Sequence, residues 1–249
     1  FRTVGTVSHP SNNALTATNG TLTGNGTISG TLDVTGNVGL GGTNTSSYLQ
    51  GVVGGKTATI GDGSQASSTL VLKDDDGVFD IATTGGTLRI YDDNNERLRM
   101  DSTGAVTIPS QPAFLATKSS VQSNIAINSL VQITFDGERF DQNGDFSSST
   151  FTAPVTGKYQ FNVVTTLAEL DQDSAYVEFK LETSNLTYTN PIVDPDGFDQ
   201  DLPYFTISTS YLVDMDANDT AKATLYIPNG SAQTDVRANQ SFFSGYLVC

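Results

Sequence analysis

The clearest pattern of hydrophobic and polar positions lies in the C-terminal half, where apolar and polar residues alternate. Apolar residues occupy every second position from Tyr159 to Val163 and again from Val177 to Leu181. A period of two is typical of a strand with one face in a core and the other in water. Further strand candidates are Pro112–Thr117, Val131–Phe135, Phe205–Val213, Ala221–Ile227 and Phe242–Val248. About ten short strands in residues 111–249 predict an antiparallel β-sandwich, with jelly-roll topology the leading candidate.

Residues 66–110 carry a second pattern, a repeat of nine residues. Turn-forming tetrads rich in Asp, Asn and Gly begin at Asp74 and recur every nine residues up to Asp101. This spacing predicts a meander of short antiparallel strands whose apolar residues share one face. In the fourth run, Arg97 and Arg99 take the apolar positions, so a one-residue shift, a bulge or a different partner is expected there. The predicted face contains Leu70, Leu72, Phe79, Ile81, Leu88, Ile90, Val106 and Ile108.

Residues 19–65 carry a third pattern, in which an aliphatic residue and a glycine recur every six residues, after an irregular leader at residues 1–18. A short strand followed by a glycine turn explains this unit. Burying one aliphatic side chain contributes about 1.5–3 kcal/mol, whereas ordering six residues costs about 1–2 kcal/mol each. One chain therefore cannot hold the shape alone, and we expect three chains to form a β-repeat shaft; a flexible linker is the alternative. The predicted trimer axis is lined by Leu22, Ile28, Val34 and Leu40.

Composition and charge narrow the classes of function. The 249 residues include 27 acidic and 12 basic side chains, a net charge of −15, so we expect no nucleic-acid partner. The single histidine, His9, and the single cysteine, Cys249, exclude histidine-based triads, zinc clusters and intrachain disulfides, so no enzymatic activity is expected. No apolar run approaches the roughly 20 residues that span a bilayer, so we expect no membrane insertion. The start at Phe1 indicates a fragment or a processed product.

Aspartate-rich turns indicate a candidate cation site. Four carboxylates within eight residues repel one another unless a cation or solvent intervenes, and alternating oxygen ligands suit Ca²⁺. The candidate calcium ligands are Asp194, Asp196, Asp199 and Asp201. Similar but shorter motifs begin at Asp141, Asp171 and Asp214. None matches an EF-hand loop, and the turn-forming tendency of Asp and Asn is the alternative explanation. No cofactor is required; calcium is the one candidate.

The segment 185–205 has few strand signals and places aromatic residues beside these carboxylates. Aromatic rings next to carboxylates can stack on glycans and hydrogen-bond to them. Core or rim positions are the alternative explanation for the same aromatic residues. The candidate receptor-binding residues are Tyr188, Asp194, Asp196, Phe198, Asp199, Asp201 and Tyr204.

The segment from Phe135 to Val163 resembles the signature of the globular head of the complement first component (C-one-q), itself similar to the tumour necrosis factor jelly roll. The run STFTAPVTGKYQF is its most specific part, and the run FFSGYLV is similar to the last strand of that family. The resemblance implies a compact homotrimeric head over residues 111–249, in which the matching residues form the core and turns. The matching positions are Phe135, Phe146, Phe151, Gly157, Tyr159, Phe161, Phe243 and Gly245.

The preceding part resembles shaft segments of tailed-bacteriophage fibres, in the runs GTLTGNGTISGTLDVTGNVGLGG and GTLRIYDDNNERLRMDSTGAVTI. Both resemblances imply threefold assemblies. The leading hypothesis is an all-β, homotrimeric phage virion fibre, of tail or head, whose Gly-rich shaft carries a complement-type head toward a host cell-surface glycan or protein. Other virion proteins would hold its N-terminal side at the virion surface. The alternative is a secreted, non-viral adhesive or structural filament protein.

Overall fold

The computed structural model describes residues 67–249. These residues contain seventeen strands, one short 3-10 helix and no α-helix, which confirms the all-β prediction for this part of the chain. None of its helical segments has the length and apolar character needed to cross a membrane. The predicted leader (1–18) and shaft (19–65) lie outside the described residues. The same holds for the predicted axis residues Leu22, Ile28, Val34 and Leu40.

Residues 67–107 form one antiparallel sheet of five strands in chain order. The strands are β1 (Ser67–Lys73), β2 (Val78–Thr84), β3 (Thr87–Asp92), β4 (Asn95–Met100) and β5 (Val106–Thr107). Between β3 and β4, Asp93 and Asn94 adopt positive φ angles of 47° and 67°. Two successive residues in this conformation are what a tight two-residue hairpin requires. The nine-residue repeat therefore corresponds to a meander, as predicted.

A bulge in β4 explains why the fourth run breaks the apolar pattern. Ile90 pairs with Leu98, whereas the next residue, Tyr91, pairs with Glu96. Arg97 is therefore the extra residue of the bulge. An extra residue shifts the alternation by one position, so Leu98 rejoins the apolar face of the sheet. Of the three alternatives that the sequence leaves open, the structure selects the bulge.

Residues 113–247 form two antiparallel sheets of six strands each. The strands are β6 (Ala113–Thr117), β7 (Leu130–Gln132), β8 (Gly137–Asp141), β9 (Phe146–Ser147), β10 (Thr150–Thr152), β11 (Gly157–Leu170), β12 (Val177–Thr183), β13 (Thr187–Val193), β14 (Leu202–Met215), β15 (Thr220–Tyr226), β16 (Asp235–Val236) and β17 (Phe242–Leu247). The front sheet has the order β14-β11-β17-β6-β8, with β16 also pairing with β11. The back sheet has the order β13-β12-β15-β10-β9, with β7 also pairing with β15.

The strand pairing is that of a jelly roll. Eight strands pair as β6 with β17, β10 with β15, β11 with β14, and β12 with β13. In these eight, the first pairs with the last, the second with the seventh, the third with the sixth, and the fourth with the fifth. A long hairpin that rolls up into two sheets gives this pairing. The topology itself therefore supports the predicted jelly-roll head.

The core between the two sheets is largely aromatic. Its buried side chains include Phe135, Phe146, Phe151, Tyr159, Phe161 and Phe243, the aromatic positions of the family signature. Gly245 makes room for the rings, because a Cβ there would stand 2.5 Å from Phe161 and 2.8 Å from Phe114. Gly157 begins β11, where a Cβ would stand 2.7 Å from the Cys249 carbonyl oxygen. The two glycines thus permit close packing that no larger residue allows.

The strand predicted at Val131–Phe135 is shorter in the structure and ends at Gln132. Beyond that residue the backbone N–H of Thr134 donates to the Gln122 side chain, and that of Phe135 donates to the Ser149 hydroxyl. Side-chain acceptors of this kind replace a neighbouring strand as the partner of the backbone.

The expectation that residues 185–205 contain few strands is wrong. β13 occupies Thr187–Val193, and β14 begins at Leu202. Pro191 suggests a break in the sequence, but β13 is the edge strand of the back sheet. An edge strand tolerates proline because one side of its backbone has no neighbouring strand to bond.

Candidate functional site

The chain enters the head at one end of the sandwich, here called the proximal end. The Gln111 side-chain amide donates to the Leu247 carbonyl oxygen at 2.8 Å. Gln142 donates in the same way to the carbonyl oxygen of Ile108 at 2.8 Å. The opposite ends of the same strands carry the loops that define the distal end, residues 118–129, 171–176, 194–201 and 227–241.

A buried carboxylate joins two of the distal loops. Asp171 is 1% exposed, and it accepts the backbone N–H groups of Ala232 at 2.7 Å and Asp173 at 2.9 Å. Burial alone would raise the pKa of Asp171, but the N–H groups of Ala232, Asp173 and Ser231 outweigh burial and hold this pKa below its ordinary value. The ionised side chain therefore fixes the loop 227–241 to its own loop.

Two further carboxylates extend this connection across the distal end. Asp235 accepts the backbone N–H of Asn124 at 2.7 Å, and Asp201 accepts that of Gln172 at 3.0 Å. Each bond joins residues from different loops. The four loops therefore form one connected surface, and a surface that is already ordered loses little conformational entropy when it binds a partner.

The acidic residues of the segment 194–201 have separate local roles. Asp194 accepts the backbone N–H of Asp196 at 3.2 Å and caps the 3-10 helix Pro195–Gly197. Asp201 makes the contact between loops given above, and Asp199 is exposed. Among residues 67–249, no three His, Cys, Asp or Glu side chains come together as a metal site. The calcium site at Asp194, Asp196, Asp199 and Asp201 stays a prediction.

Two of the predicted aromatic residues lie at or beside the distal end. The Phe198 ring is 38% exposed and packs edge-on against Phe205, with 6.3 Å between ring centroids. Tyr204 is 61% exposed, and the Arg237 guanidinium lies 4.6 Å from the centre of its ring. Phe198 is thus the aromatic residue that the distal loop itself presents to solvent.

Tyr188 does not belong to this group. It pairs with Leu181 in the proximal half of β13, and its ring packs against Tyr211 at 5.5 Å between centroids. The ring also contacts the core. The structure therefore separates Tyr188 from the acidic loop that lies close to it in the sequence.

The outer face of the back sheet is charged. Lys180 lies 2.8 Å from Glu178, and Lys222 lies 3.3 Å from Glu182. Interspersed charges of both signs are typical of a face that remains in water.

The outer face of the front sheet has a different character. On four of its strands it presents alternate residues from Tyr204 to Leu212, from Gln160 to Thr166, from Phe242 to Tyr246 and from Ala113 to Thr117, and we call this set of residues the front face. These positions carry no charged side chain. The edge strand β8, which carries the exposed Glu138 and Arg139, does not belong to the front face. Leu212 and Tyr246 flank Gln160 and are 59% and 48% exposed. An ion pair between Lys158 and Asp214 at 2.5 Å marks its proximal margin.

The front face is not among the candidate sites predicted from the sequence, because the polar positions of an alternating strand are expected to lie in water. The available signal was the absence of charge at these polar positions, in a chain whose net charge is −15. Recognising it required the strand order, because the four strands that build the face are far apart in the sequence.

No family model and no curated protein matches the chain. Among solved structures, the globular domain of zebrafish complement 1qA protein is similar over 56% of this chain and 98% of its own, with 18% identity and a TM-score of 0.40. Murine APRIL at pH 8.0 is similar over 56% of this chain and 100% of its own, with 10% identity and a TM-score of 0.40. Murine APRIL at pH 5.0 gives a TM-score of 0.38. None of these three is a bacteriophage fibre.

Proposed function

We propose that this protein is a homotrimeric attachment protein, in which the front faces join three heads and the distal loops bind a receptor. The observation that carries the proposal is the charge-free front face. Copies of a chain with a net charge of −15 repel one another. They meet at lowest cost where each presents a surface without charge.

Two observations support three copies as the number. The complement-type signature implies a threefold head, and the six-residue repeat implies a threefold shaft. The signature lies in residues 111–249 and the repeat in residues 19–65, so they are independent indications of the same symmetry. A ring of three closes on itself, as most soluble oligomers do.

The distal loops are the proposed receptor-binding surface, because they lie opposite the end where the chain enters the head. A receptor can reach them without meeting the shaft. The exposed carboxylates of Asp196 and Asp199 can accept hydrogen bonds from sugar hydroxyls, and the exposed ring of Phe198 can stack on a sugar. A cell-surface glycan or a protein is therefore the proposed partner.

The finer proposal is a bacteriophage virion fibre, of tail or head, located at the virion surface. It is supported by the resemblance of residues 20–42 and 86–108 to fibre shafts. The alternative is a secreted, non-viral adhesive or filament protein. The chain has seven Asn-X-Ser/Thr sequons, and their glycosylation distinguishes the phage fibre from the secreted protein. In a protein made inside bacteria these sequons stay unmodified. Intact mass of protein isolated from its natural source tests this: an added hexose mass supports the secreted alternative.

Trimer formation is tested with two matched variants. Leu212 on the front face is 59% exposed, and Ile192 on the back sheet is 60% exposed. We expect the wild type to sediment at three times the chain mass of 26.3 kDa. Leu212→Glu places three like charges in the contacts, which costs several kcal/mol, and we expect monomers at micromolar concentration. Ile192→Glu should stay trimeric. A monomeric wild type, or equal behaviour of both variants, would overturn the front-face contact.

Receptor binding is tested with labelled protein on a glycan array and on cells. The variant Phe198→Ala with Asp199→Asn should bind about tenfold more weakly, since it removes a ring and a charge from the contact surface. The control Leu186→Ala alters a proximal loop residue that is 56% exposed, and it should bind like the wild type. Unchanged binding by the distal variant would contradict the assignment.

A further inference from the structure

The five-stranded sheet has one apolar face that no described residue covers. Cross-strand pairing places seven apolar side chains on it, each at least 36% exposed: Leu70, Leu72, Phe79, Ile81, Leu88, Met100 and Val106. Together with their apolar cross-strand neighbours they form what we call the meander face. A sheet that is hydrophobic on one face must bury this face against another element.

The opposite face of the same sheet is adapted to water. Arg89 lies 3.2 Å from Glu96, and its guanidinium also donates to the Tyr91 hydroxyl at 3.2 Å. The two faces therefore differ as the inside and the outside of a domain differ. An exposed apolar patch of this kind marks an interaction site.

We propose that two further copies of this chain cover the meander face, so that three apolar faces form one core around the trimer axis. The proposal rests on the homotrimer proposed above and adds a second contact to it. The meander face is mostly apolar: its one carboxylate opposite an apolar residue, that of Asp92 across from Phe79, is paired with Arg97 at 3.1 Å. The turn at its margin carries Asp74. Like copies therefore meet with least repulsion at this face.

The connection to the head favours a second copy over an unrelated partner. Four residues, 109–112, separate Ile108 from the first strand of the head. These connecting residues are held to the head, because the Gln142 side chain donates to the Pro109 carbonyl oxygen at 2.9 Å and the Asn143 side chain donates to the Ser110 carbonyl oxygen at 2.9 Å. Three joined heads thus hold three meander faces close together. This gives the faces a high effective concentration for one another.

The test compares two neighbouring residues of β1 that lie on opposite faces. Leu72 on the meander face is 52% exposed and Val71 on the other face is 54% exposed, so both would react equally if neither face were covered. In a Cys249→Ser background, we expect Leu72→Cys to react with a water-soluble maleimide at least about tenfold more slowly than Val71→Cys. Equal rates in a trimeric protein would overturn the proposal and leave the head contact intact.

Photo-crosslinking identifies what covers the face. With p-benzoylphenylalanine in place of Leu72, light should link separate chains into dimers and trimers on a denaturing gel, through residues 67–108. The same group in place of Val71 should give no such product. Protection with crosslinks only inside one chain would overturn the proposal in favour of residues 1–66 as the cover. A wild type that sediments as a monomer would overturn both this proposal and the homotrimer.

Discussion

A single buried carboxylate illustrates how individual residues order the distal end. Burial of an uncompensated charge is costly, yet Asp171 is 1% exposed. Backbone N–H groups from its own loop and from the loop 227–241 compensate its charge. Gly230 permits this contact, because a Cβ there would stand 2.7 Å from the carboxylate. Asp171 therefore has a structural role, although the aspartate-rich motif that it begins suggests a cation ligand.

Replacing Asp171 should therefore destabilise the head strongly. Asp171→Ala leaves buried N–H groups without an acceptor, and we expect a loss of about 3 kcal/mol in the free energy of unfolding. The control Asp173→Ala changes an exposed neighbour and should alter this free energy by at most about 0.5 kcal/mol. Urea titrations at equal protein concentration measure both. Equal losses in the free energy of unfolding would show that the buried Asp171 contact stabilises the head no more than an exposed aspartate does.

The same residue gives a pH dependence with a defined sign. Folding lowers the pKa of Asp171 below its ordinary value of 3.8, because the donated N–H groups outweigh burial. Its contribution to stability is complete above the ordinary value and is lost as the pH falls through the folded-state pKa. Below about pH 4, the free energy of unfolding should therefore fall more steeply for the wild type than for Asp171→Ala.

At the scale of elements, the bulge in β4 keeps one face of the meander apolar. Strand residues alternate between faces, so Arg99 would face inward without a correction of one residue. Arg97 supplies that correction as the unpaired extra residue. Its ion pair with Asp92, at 3.1 Å, is exposed and contributes little. Arg97 therefore acts mainly as the extra residue that shifts the alternation of the strand, and its charge contributes little.

Deletions in two strands test this interpretation. Deleting Arg97 restores regular pairing and leaves Leu98 opposite Ile90, so we expect the melting temperature to change by less than about 2 °C. Deleting Ala82 from β2, which pairs regularly on both sides, moves apolar residues to the wrong face. It should lower the melting temperature by about 5 °C or more. Calorimetry of both variants measures the difference, and similar melting temperatures would contradict it.

Local alternation predicted the elements well where each strand has one buried face. The patterns at Tyr159–Val163 and Val177–Leu181 correspond to β11 and β12. The sequence-based prediction omitted β13, an edge strand that contains Pro191, since proline argues against a central strand and is tolerated only at an edge. It also grouped Tyr188 with the acidic loop, since distance along a chain does not reveal that a strand carries one residue away from the other. The front face arises only from strand order, which alternation does not encode.

At the scale of the whole molecule, charge and apolar contact oppose each other. Each chain carries a net charge of −15, and the proposed trimer would carry three times as much. This repulsion acts between whole copies, whereas the front face and the meander face are local. Salt screens the repulsion between the charged copies, whereas it leaves the apolar contacts nearly unchanged or slightly stronger.

The proposed trimer should therefore become more stable as the ionic strength rises. We expect its dissociation constant to fall about tenfold between 20 mM and 500 mM NaCl, because screening removes repulsion between like-charged copies. Sedimentation equilibrium over this range measures the change. Dissociation by salt would indicate instead that ion pairs between chains hold the trimer.

The pairing of β6 with β17 places the first and last strands of the head side by side. The residues that lead in from the preceding sheet bond to the same end of the head, through Leu247, Gln142 and Asn143, and this short seam is the junction. A genetic exchange at this seam would transfer the head as one unit. Variation in the distal loops would not affect the seam, because the full length of the sandwich separates them. Under the proposed function, the protein would then acquire a new receptor while the part that carries the head stays unchanged.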